Sequence, residues 1–351
     1  MKQRSTLRTV AGIFFLLLLI AGTIWILHFR GTATLRTAEG TIFGTVYHIK
    51  YESAEALDDP IRQELEAVDQ SLSVFNSQST ISRLNRGETD KTDLRLFRTL
   101  QKAMEVSEET DGAFDVTVMP LVNAWGFGYK SGTLPTQKDI DSLRQFVGCR
   151  HLTLKADSTL KKDKPGITID LGAIAKGYGV DCVAKLLLQH DVKNFMVEIG
   201  GEVITHGRNP NGEKWKIGIS KPIENPAPKE ELQTVIYSEN EAMATSGNYR
   251  NFYVKDGKKY AHTIDPKTGY PVQHSLLSAT VFAPDCTTAD AFATAFMVMG
   301  LEKAKNVLER RKDLKACLIY ADENGKLNTY THGKIQTCQL GGGLRIWLSE
   351  L

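Results

Sequence analysis

Asp290 and Thr294 stand four residues apart in Ala289-Asp290-Ala291-Phe292-Ala293-Thr294, which puts a carboxylate and a hydroxyl on one helical face. Two hard oxygens on adjacent turns suit Mg²⁺, which keeps waters and phosphate oxygens in its remaining positions. The same spacing also fits plain structure, with Thr294 bonding back to its own helix and Asp290 facing solvent. A second cluster, Ile167 to Gly177 (ITIDLGAIAKG), joins an apolar run to a helix through small residues. Asp170 ends the run, Gly172 and Ala173 permit close backbone approach, and Lys176 can reach an anion at the helix start. A third, Tyr260 to Pro271 (YAHTIDPKTGYP), sets His262 ahead of a tight turn built by Pro266 and Gly269. His262 could carry a proton near neutral pH or serve the turn alone. Ala244 to Arg250 (ATSGNYR) offers hydroxyls suited to a phosphate or acyl-type site. Between Thr110 and Gly128, aromatics alternate with glycines, as for a planar ring held against backbone or a loop packed around Trp125. No G-x-S-x-G, G-x-x-x-x-G-K-[ST] or G-x-G-x-x-G occurs, so nucleophile-elbow, P-loop and dinucleotide-fold readings lack their motifs.

Elements that must position these groups follow from periodicity. Thr41 to Tyr51 alternates as a half-buried strand, and Asn194 to Thr205, Trp215 to Ser220, Thr234 to Ser238, Leu277 to Ala283 and Leu318 to Tyr320 also read as strands. Thr168 to Leu171 reads as a strand end. Helical spacing marks Pro60 to Leu72, Leu94 to Glu109, Ala173 to Leu188, Ala289 to Gly300 and Glu302 to Arg311. Strands and helices mix without a βαβ alternation, so the expected class is α+β: mixed sheets with packed helices in one large two-lobed unit.

The 351 residues are 42% hydrophobic and 24% charged, a globular composition. Lys+Arg is 43 against 41 Asp+Glu, and Lys2, Arg4, Arg8 and Arg30 fall in the first thirty residues, which hold no acid. The remainder therefore carries 39 against 41, a net −2 that gives nucleic acid no footprint. Val10 to Leu27 holds eighteen residues without a charge. As a helix it would be roughly 27 Å long, near the ~30 Å hydrocarbon core, and the preceding cations favour a cytoplasmic N-terminus. The alternative is a cleaved signal peptide with Gly31-Thr32-Ala33 as its site, but the run is long for that and Arg30 interrupts the path to the site. The expected organisation is a transmembrane signal-anchor over 1–30, a linker over 31–40 and a catalytic domain over 41–351, lying on the periplasmic side of the inner membrane. Five cysteines (Cys149, Cys182, Cys286, Cys317, Cys338) show no CxxC and no Cys/His cluster, so they read as small buried residues rather than a zinc site.

The runs FGTVYHIKY, SLSVFNSQSTISRLN, DGAFDVTVMPLVNAWGFG, IDLGAIAKGYGVD, VEIGGEV, ATSGNYR, HTIDPKTGYPV and ADAFATAFMVMG, colinear from Phe43 to Gly300, together resemble the FAD:protein FMN transferase family, ApbE. The resemblance implies FAD bound in a cleft, its pyrophosphate split with Mg²⁺, and FMN handed to a threonine or serine hydroxyl on an acceptor protein, leaving AMP. It implies a metal held by Asp290, Thr294 and the backbone carbonyls of Ala173 and Ala293. The flavin-side positions it implies are Phe43, Phe75, Ala113, Phe114, Asp115, Asp170, Lys176, His262 and Thr263. Many members carry methionine where Phe43 stands and tyrosine where Phe75 stands; both positions stay bulky. His262 is then the candidate base, and Lys176 the group that neutralises the AMP leaving group. Acceptors implied by the resemblance include membrane respiratory electron-transfer subunits. Alternatives with the same residues are Mg²⁺-dependent hydrolysis of FAD to FMN and AMP, and a non-catalytic FAD-binding module.

Overall fold

Tyr47, Ile49 and Tyr51 are buried between more exposed neighbours, and Phe195, Val197 and Ile199 repeat the pattern, so both runs present one apolar face as period-two strands. The computed structural model describes residues 12–23, 33–127, 134–220, 232–248, 252–255 and 258–338. Its main sheet has eight strands in the order β1 (Thr34–Ile42), β2 (Thr45–Ser53), β5 (Phe195–Ile199), β6 (Glu202–His206), β9 (Glu241–Gly247), β12 (Leu276–Ala283), β13 (Lys315–Ala321) and β14 (Leu327–His332). Short strands β3 (Leu152–Leu154) and β4 (Leu160–Lys162) pair together, as do β10 (Phe252–Lys255) and β11 (Lys258–Ala261). A separate three-stranded sheet joins β7 (Trp215–Ser220), β8 (Leu232–Ser238) and β15 (Thr337–Cys338).

The helices are α1 (residues 12–23), α2 (Asp58–Leu72), α3 (Thr80–Asn85), α4 (Leu94–Glu109), α5 (Met119–Ala124), α6 (Gln137–Arg144), α7 (Ala175–Gln189) and α8 (Cys286–Arg310). Helices α7 and α8 pack side by side on the main sheet, with α2 against α7 and α4 against α8. The small sheet covers the other face: Ile217, Ile219 and Ile236 meet Val203, Met243 and Phe282. Met243 lies between Ala242 and Ala244, which point into the helix-side cores, so alternation alone assigns it to the opposite face.

The α+β class stands, and several boundaries are corrected. Every pairing in the main sheet is antiparallel, so the sheets are not mixed. Residues 34–40 of the expected linker belong to strand β1, whose pairing with β2 turns at Phe43-Gly44. Asn194 to Thr205 is likewise two strands, reversed at Gly200-Gly201, where φ values of 60° and 100° suit glycine. Thr168 to Leu171 pairs with no strand; Asn85 holds it instead, bonding the N–H and carbonyl of Ile169 at 2.8 and 2.7 Å. Helix α8 breaks at Gly300 (φ 76°), between the two helices expected there. Residues 10–11 and 24–27 of the expected membrane span lie outside the described residues, and among those described no helix is long and apolar enough to cross a membrane. Cys149, Cys286 and Cys317 are buried, Cys182 partly so, and all four are free thiols; the side chain of Cys338 lies outside the described residues.

Helices α7 and α8 cap each other. The residue before α7, Ile174, has no side chain able to cap it. The Gly177 N–H in its first turn instead donates to Asp290 Oδ2 of α8 at 3.0 Å. In return Asp181 of α7 accepts from the N–H groups of Cys286 and Thr287, each at 2.8 Å, and from the Thr287 hydroxyl at 2.5 Å. Asp285 adds a local cap, accepting from Thr288 N–H at 2.7 Å. Burial, with Asp285 adding to it, pushes the Asp181 carboxyl up to about 6 against the pull of its hydrogen bonds. The folded chain thus keeps a proton that the unfolded chain gives up near pH 4, so this group subtracts stability as pH climbs from about 4 through about 6. Asp181→Asn removes that slope. In urea titrations at pH 4.5 and 7.5, the stability difference between variant and wild type should move toward the variant at the higher pH, by up to about 2 kcal/mol.

Candidate active site

A cavity of about 1310 Å³ opens where the first turn of α7 meets α8, β6 and β9. That exceeds the range of about 300–1,000 Å³ usual for drug-sized ligands and leaves room for a dinucleotide. Asp170, Ala173, Lys176, Asp290 and Thr294 line it, and so do Ala113, Phe114, Asp115, His262 and Thr263. Segments more than a hundred positions apart in sequence therefore share one wall.

The approach of α7 to α8 creates the charged centre. A Cβ on Gly177 would lie 2.3 Å from the Cys286 carbonyl oxygen and 2.9 Å from Asp290 Cβ, so only glycine lets the helices close to this distance. Lys176 Nζ then reaches Glu202 Oε1 at 2.7 Å and stands 3.9 Å from Asp290 Oδ1. The two carboxylates are almost fully buried. Burial pulls the Lys176 ammonium down, but Asp290 and Glu202 outweigh it and hold the lysine above its ordinary range. Burial pushes the Glu202 carboxyl up, reinforced by Asp290 and opposed by Lys176. One ammonium against two carboxylates leaves the centre formally acidic, which favours a further cation.

The oxygens at hand suit a hard one. Asp290 Oδ2 is taken by Gly177 N–H, while Oδ1 lies beyond hydrogen-bond distance from Lys176. Thr294 Oγ1 faces Ser246 Oγ at 3.1 Å rather than bonding back into its helix, so two paired hydroxyls line the same cavity as that carboxylate. Among the described residues no three His, Cys, Asp or Glu side chains gather as a metal-holding group. A single carboxylate with hydroxyl, carbonyl, water and phosphate oxygens is a donor set Mg²⁺ accepts. The residues fit that ion.

Two other carboxylates are committed to the chain. Asp115 accepts from Thr117 N–H and hydroxyl through Oδ1, at 2.8 and 2.5 Å, and from Cys149 N–H through Oδ2 at 2.9 Å. Its role in the wall is to fix the loop that carries Ala113 and Phe114. Asp170 Oδ1 accepts from Gly172 N–H at 2.8 Å, shaping the turn into α7, and burial holds its carboxyl above the usual range. Elsewhere in the lining, Thr263 donates to Asn248 Oδ1 at 2.5 Å, and the His262 ring meets Phe127 edge-on at 6.4 Å.

Phe43, Phe75 and Ala293 do not line the cavity. Phe43 occupies the β1–β2 turn at φ 52° with its ring against Gly179 of α7, and Phe75 is 83% exposed. Ala293 is fully buried in the core beneath α8. Trp125 is structural: it is buried and donates from Nε1 to the Gly269 carbonyl at 2.7 Å. Tyr249, Arg250 and Gly128 lie outside the described residues. Sequence reasoning passed over Glu202, although VEIGGEV carries it, and over Asp181, the last residue of IDLGAIAKGYGVD. Neither has a periodic partner, so only the fold reveals what they face.

The ApbE family profile matches residues 43–318. The FAD:protein FMN transferase of Haemophilus influenzae is 39% identical over 302 residues, covering 82% of this chain and 86% of the relative. Among solved structures, the flavin transferase ApbE from Vibrio cholerae superposes with a TM-score of 0.77 at 36% identity, covering 86% of this chain and 97% of that one. The flavinyl transferase ApbE of Pseudomonas stutzeri, in its apo form, gives 0.75 at 30% identity, with 86% and 95% covered.

The close helix approach is testable by itself. Gly177→Ala gains up to about 1 kcal/mol of helix propensity but must push backbone apart, which typically costs about 1–3 kcal/mol. A net loss of about 1–2 kcal/mol is expected in urea titration; a more stable variant would show that the helices do not meet there.

Proposed function

The chain belongs to the ApbE family, and we propose that it is an FAD:protein FMN transferase that uses Mg²⁺, modifies a threonine or serine hydroxyl of an acceptor protein, and leaves AMP. The observation that carries this reading is the convergence of Asp290, Thr294, Lys176 and His262 on one cavity of about 1310 Å³. A pyrophosphate dianion needs cationic and donor groups along its length, and transfer at phosphorus adds charge to non-bridging and leaving oxygens. Asp290 and Thr294, with the Ala173 carbonyl, would hold Mg²⁺, which supplies Lewis-acid neutralisation of that charge when bound. Lys176 keeps its ammonium beside this centre and is suited to the leaving phosphate. Ala113 and Phe114 offer an apolar wall for the flavin. His262, which lines the same cavity, is the candidate to take the hydroxyl proton, help worth roughly 10²–10⁴-fold.

The direct test is mass spectrometry of candidate acceptors co-expressed with the full chain. An FMN-sized adduct on threonine or serine is expected. AMP release that ignores the acceptor would favour hydrolysis of FAD, and bound FAD without AMP would favour a non-catalytic module. Asp290→Asn keeps an oxygen for Gly177 N–H, so its fold should hold while Mg²⁺-dependent AMP release falls on the order of 10²-fold or more. Wild-type turnover in that variant at ordinary Mg²⁺ counts against the metal assignment. His262→Ala should slow transfer from bound FAD by about 10²-fold or more and change FAD affinity little. Loss of FAD binding with an unchanged rate from the bound complex would remove His262 as base.

We also propose that the catalytic body is exported behind an N-terminal anchor, supported by the uncharged run Val10 to Leu27 and the cations before it. Protease added to intact spheroplasts should digest the body, and full protection would refute export.

A further inference from the structure

Glu202 opens β6 directly after the Gly200-Gly201 turn, and the residue is 2% exposed. Its Oε1 accepts from Lys176 Nζ at 2.7 Å. Its Oε2 is buried and has no hydrogen-bond partner among the described residues, yet Glu202 lines the cavity. A buried carboxylate oxygen without a donor is costly and rare in folded chains, and its persistence in a cavity wall points to a donor brought by the ligand. Phosphate oxygens only accept hydrogen bonds, so they cannot satisfy Oε2 in the ionised carboxylate that pairs with Lys176. The donors able to arrive beside a phosphate are hydroxyls: the side chain being modified, or a sugar hydroxyl of the dinucleotide.

We propose that Glu202 is a hydroxyl-binding residue of this site, with Oε1 anchoring Lys176 and Oε2 accepting a hydrogen bond from a substrate hydroxyl. The inference rests on the transferase reading above for the nature of the substrates. The two buried carboxylates then have separate roles, Asp290 serving the metal and the α7 N-terminus while Glu202 serves the lysine and the hydroxyl.

Glu202→Gln tests it in the full chain. The amide carbonyl must turn to the Lys176 ammonium, so an NH₂ faces the substrate where an acceptor is needed. Three quantities are read: FAD affinity by flavin fluorescence, the rate of AMP release from saturating FAD and Mg²⁺ with N-acetylthreonine amide as hydroxyl probe, and the melting temperature. Loss of a hydrogen bond to a charged group predicts a change on the order of 10–100-fold. A rate loss of at least about tenfold with FAD affinity kept identifies the acceptor hydroxyl; an affinity loss of that size with the rate kept identifies a sugar hydroxyl of FAD. Either result, or both together, supports the proposal when the melting temperature stays within about 2 °C of wild type. Smaller changes in both quantities, or losses that come with a larger fall in melting temperature, overturn it and leave Glu202 a support for the fold. A wild-type chain that binds FAD but releases no AMP fails the transferase reading alone, because the affinity measurement still tests Glu202; one that binds no FAD overturns both.

Discussion

The exchange of caps between α7 and α8 fixes the charged centre of the cavity. Asp290 takes the Gly177 N–H, and Asp181 takes those of Cys286 and Thr287, so two hydrogen-bonded contacts several residues apart lock the antiparallel helices in one axial register. A slip of one turn, about 5.4 Å, would carry Asp290 away from Lys176 and Thr294 away from Ser246. Local sequence signals cannot supply this register. Asp285 caps α8 from within its own segment, but α7 begins at Ile174 with nothing local to cap it, and its orphan donor finds an acceptor only after tertiary assembly.

The charged centre built on that register is a buried arrangement whose parts do not stabilise the fold by default. Taking charges out of water costs several kcal/mol per ion, and attraction between buried partners repays that only when geometry and hydrogen bonding are good. Lys176 to Glu202 at 2.7 Å meets the condition, whereas Lys176 to Asp290 at 3.9 Å does not. Two carboxylates facing one ammonium remain under-neutralised, and the Glu202 Oε2 atom remains unsatisfied. Folding stability alone does not explain such a centre.

How much of this the sequence discloses depends on whether a feature is local. Asp290 and Thr294 are legible as a pair because helical period alone puts them on one face, and the structure keeps them there with Thr294 turned toward Ser246. Leu94–Glu109 and Trp215–Ser220 are found at their bounds because periodicity and turn residues coincide at both ends. Thr41 to Tyr51 and Asn194 to Thr205 are each read as one strand because alternation continues through Phe43-Gly44 and Gly200-Gly201, where a two-residue turn preserves the in–out pattern on either side. Phe43 and Phe75 fit a stacking role by bulk, but bulk does not say which surface a ring meets: one packs on Gly179 and the other faces solvent. Glu202 illustrates the opposite limit. A lone glutamate after two glycines has no pattern to betray that it is buried or that it faces a lysine on another helix.

The segment that brings His262 to the cavity has its own supports. His262 and Thr263 belong to a segment that ends in the Asp265–Gly269 turn, and this segment is tied to residues 111–127 rather than to α7 or α8. Two of the contacts in this tie differ in magnitude. The ion pair between Lys267 and Asp111 involves side chains 54% and 93% exposed, where such pairs are worth about 0–1 kcal/mol. The Trp125 Nε1 bond to the Gly269 carbonyl is buried, with the Tyr270 ring 5.5 Å from the indole, so losing it would strand a polar group as well as apolar area. The tryptophan therefore braces the turn that follows the histidine. The cavity lining thus draws its charged centre and His262 from separate segments of the chain, each braced by its own buried contact.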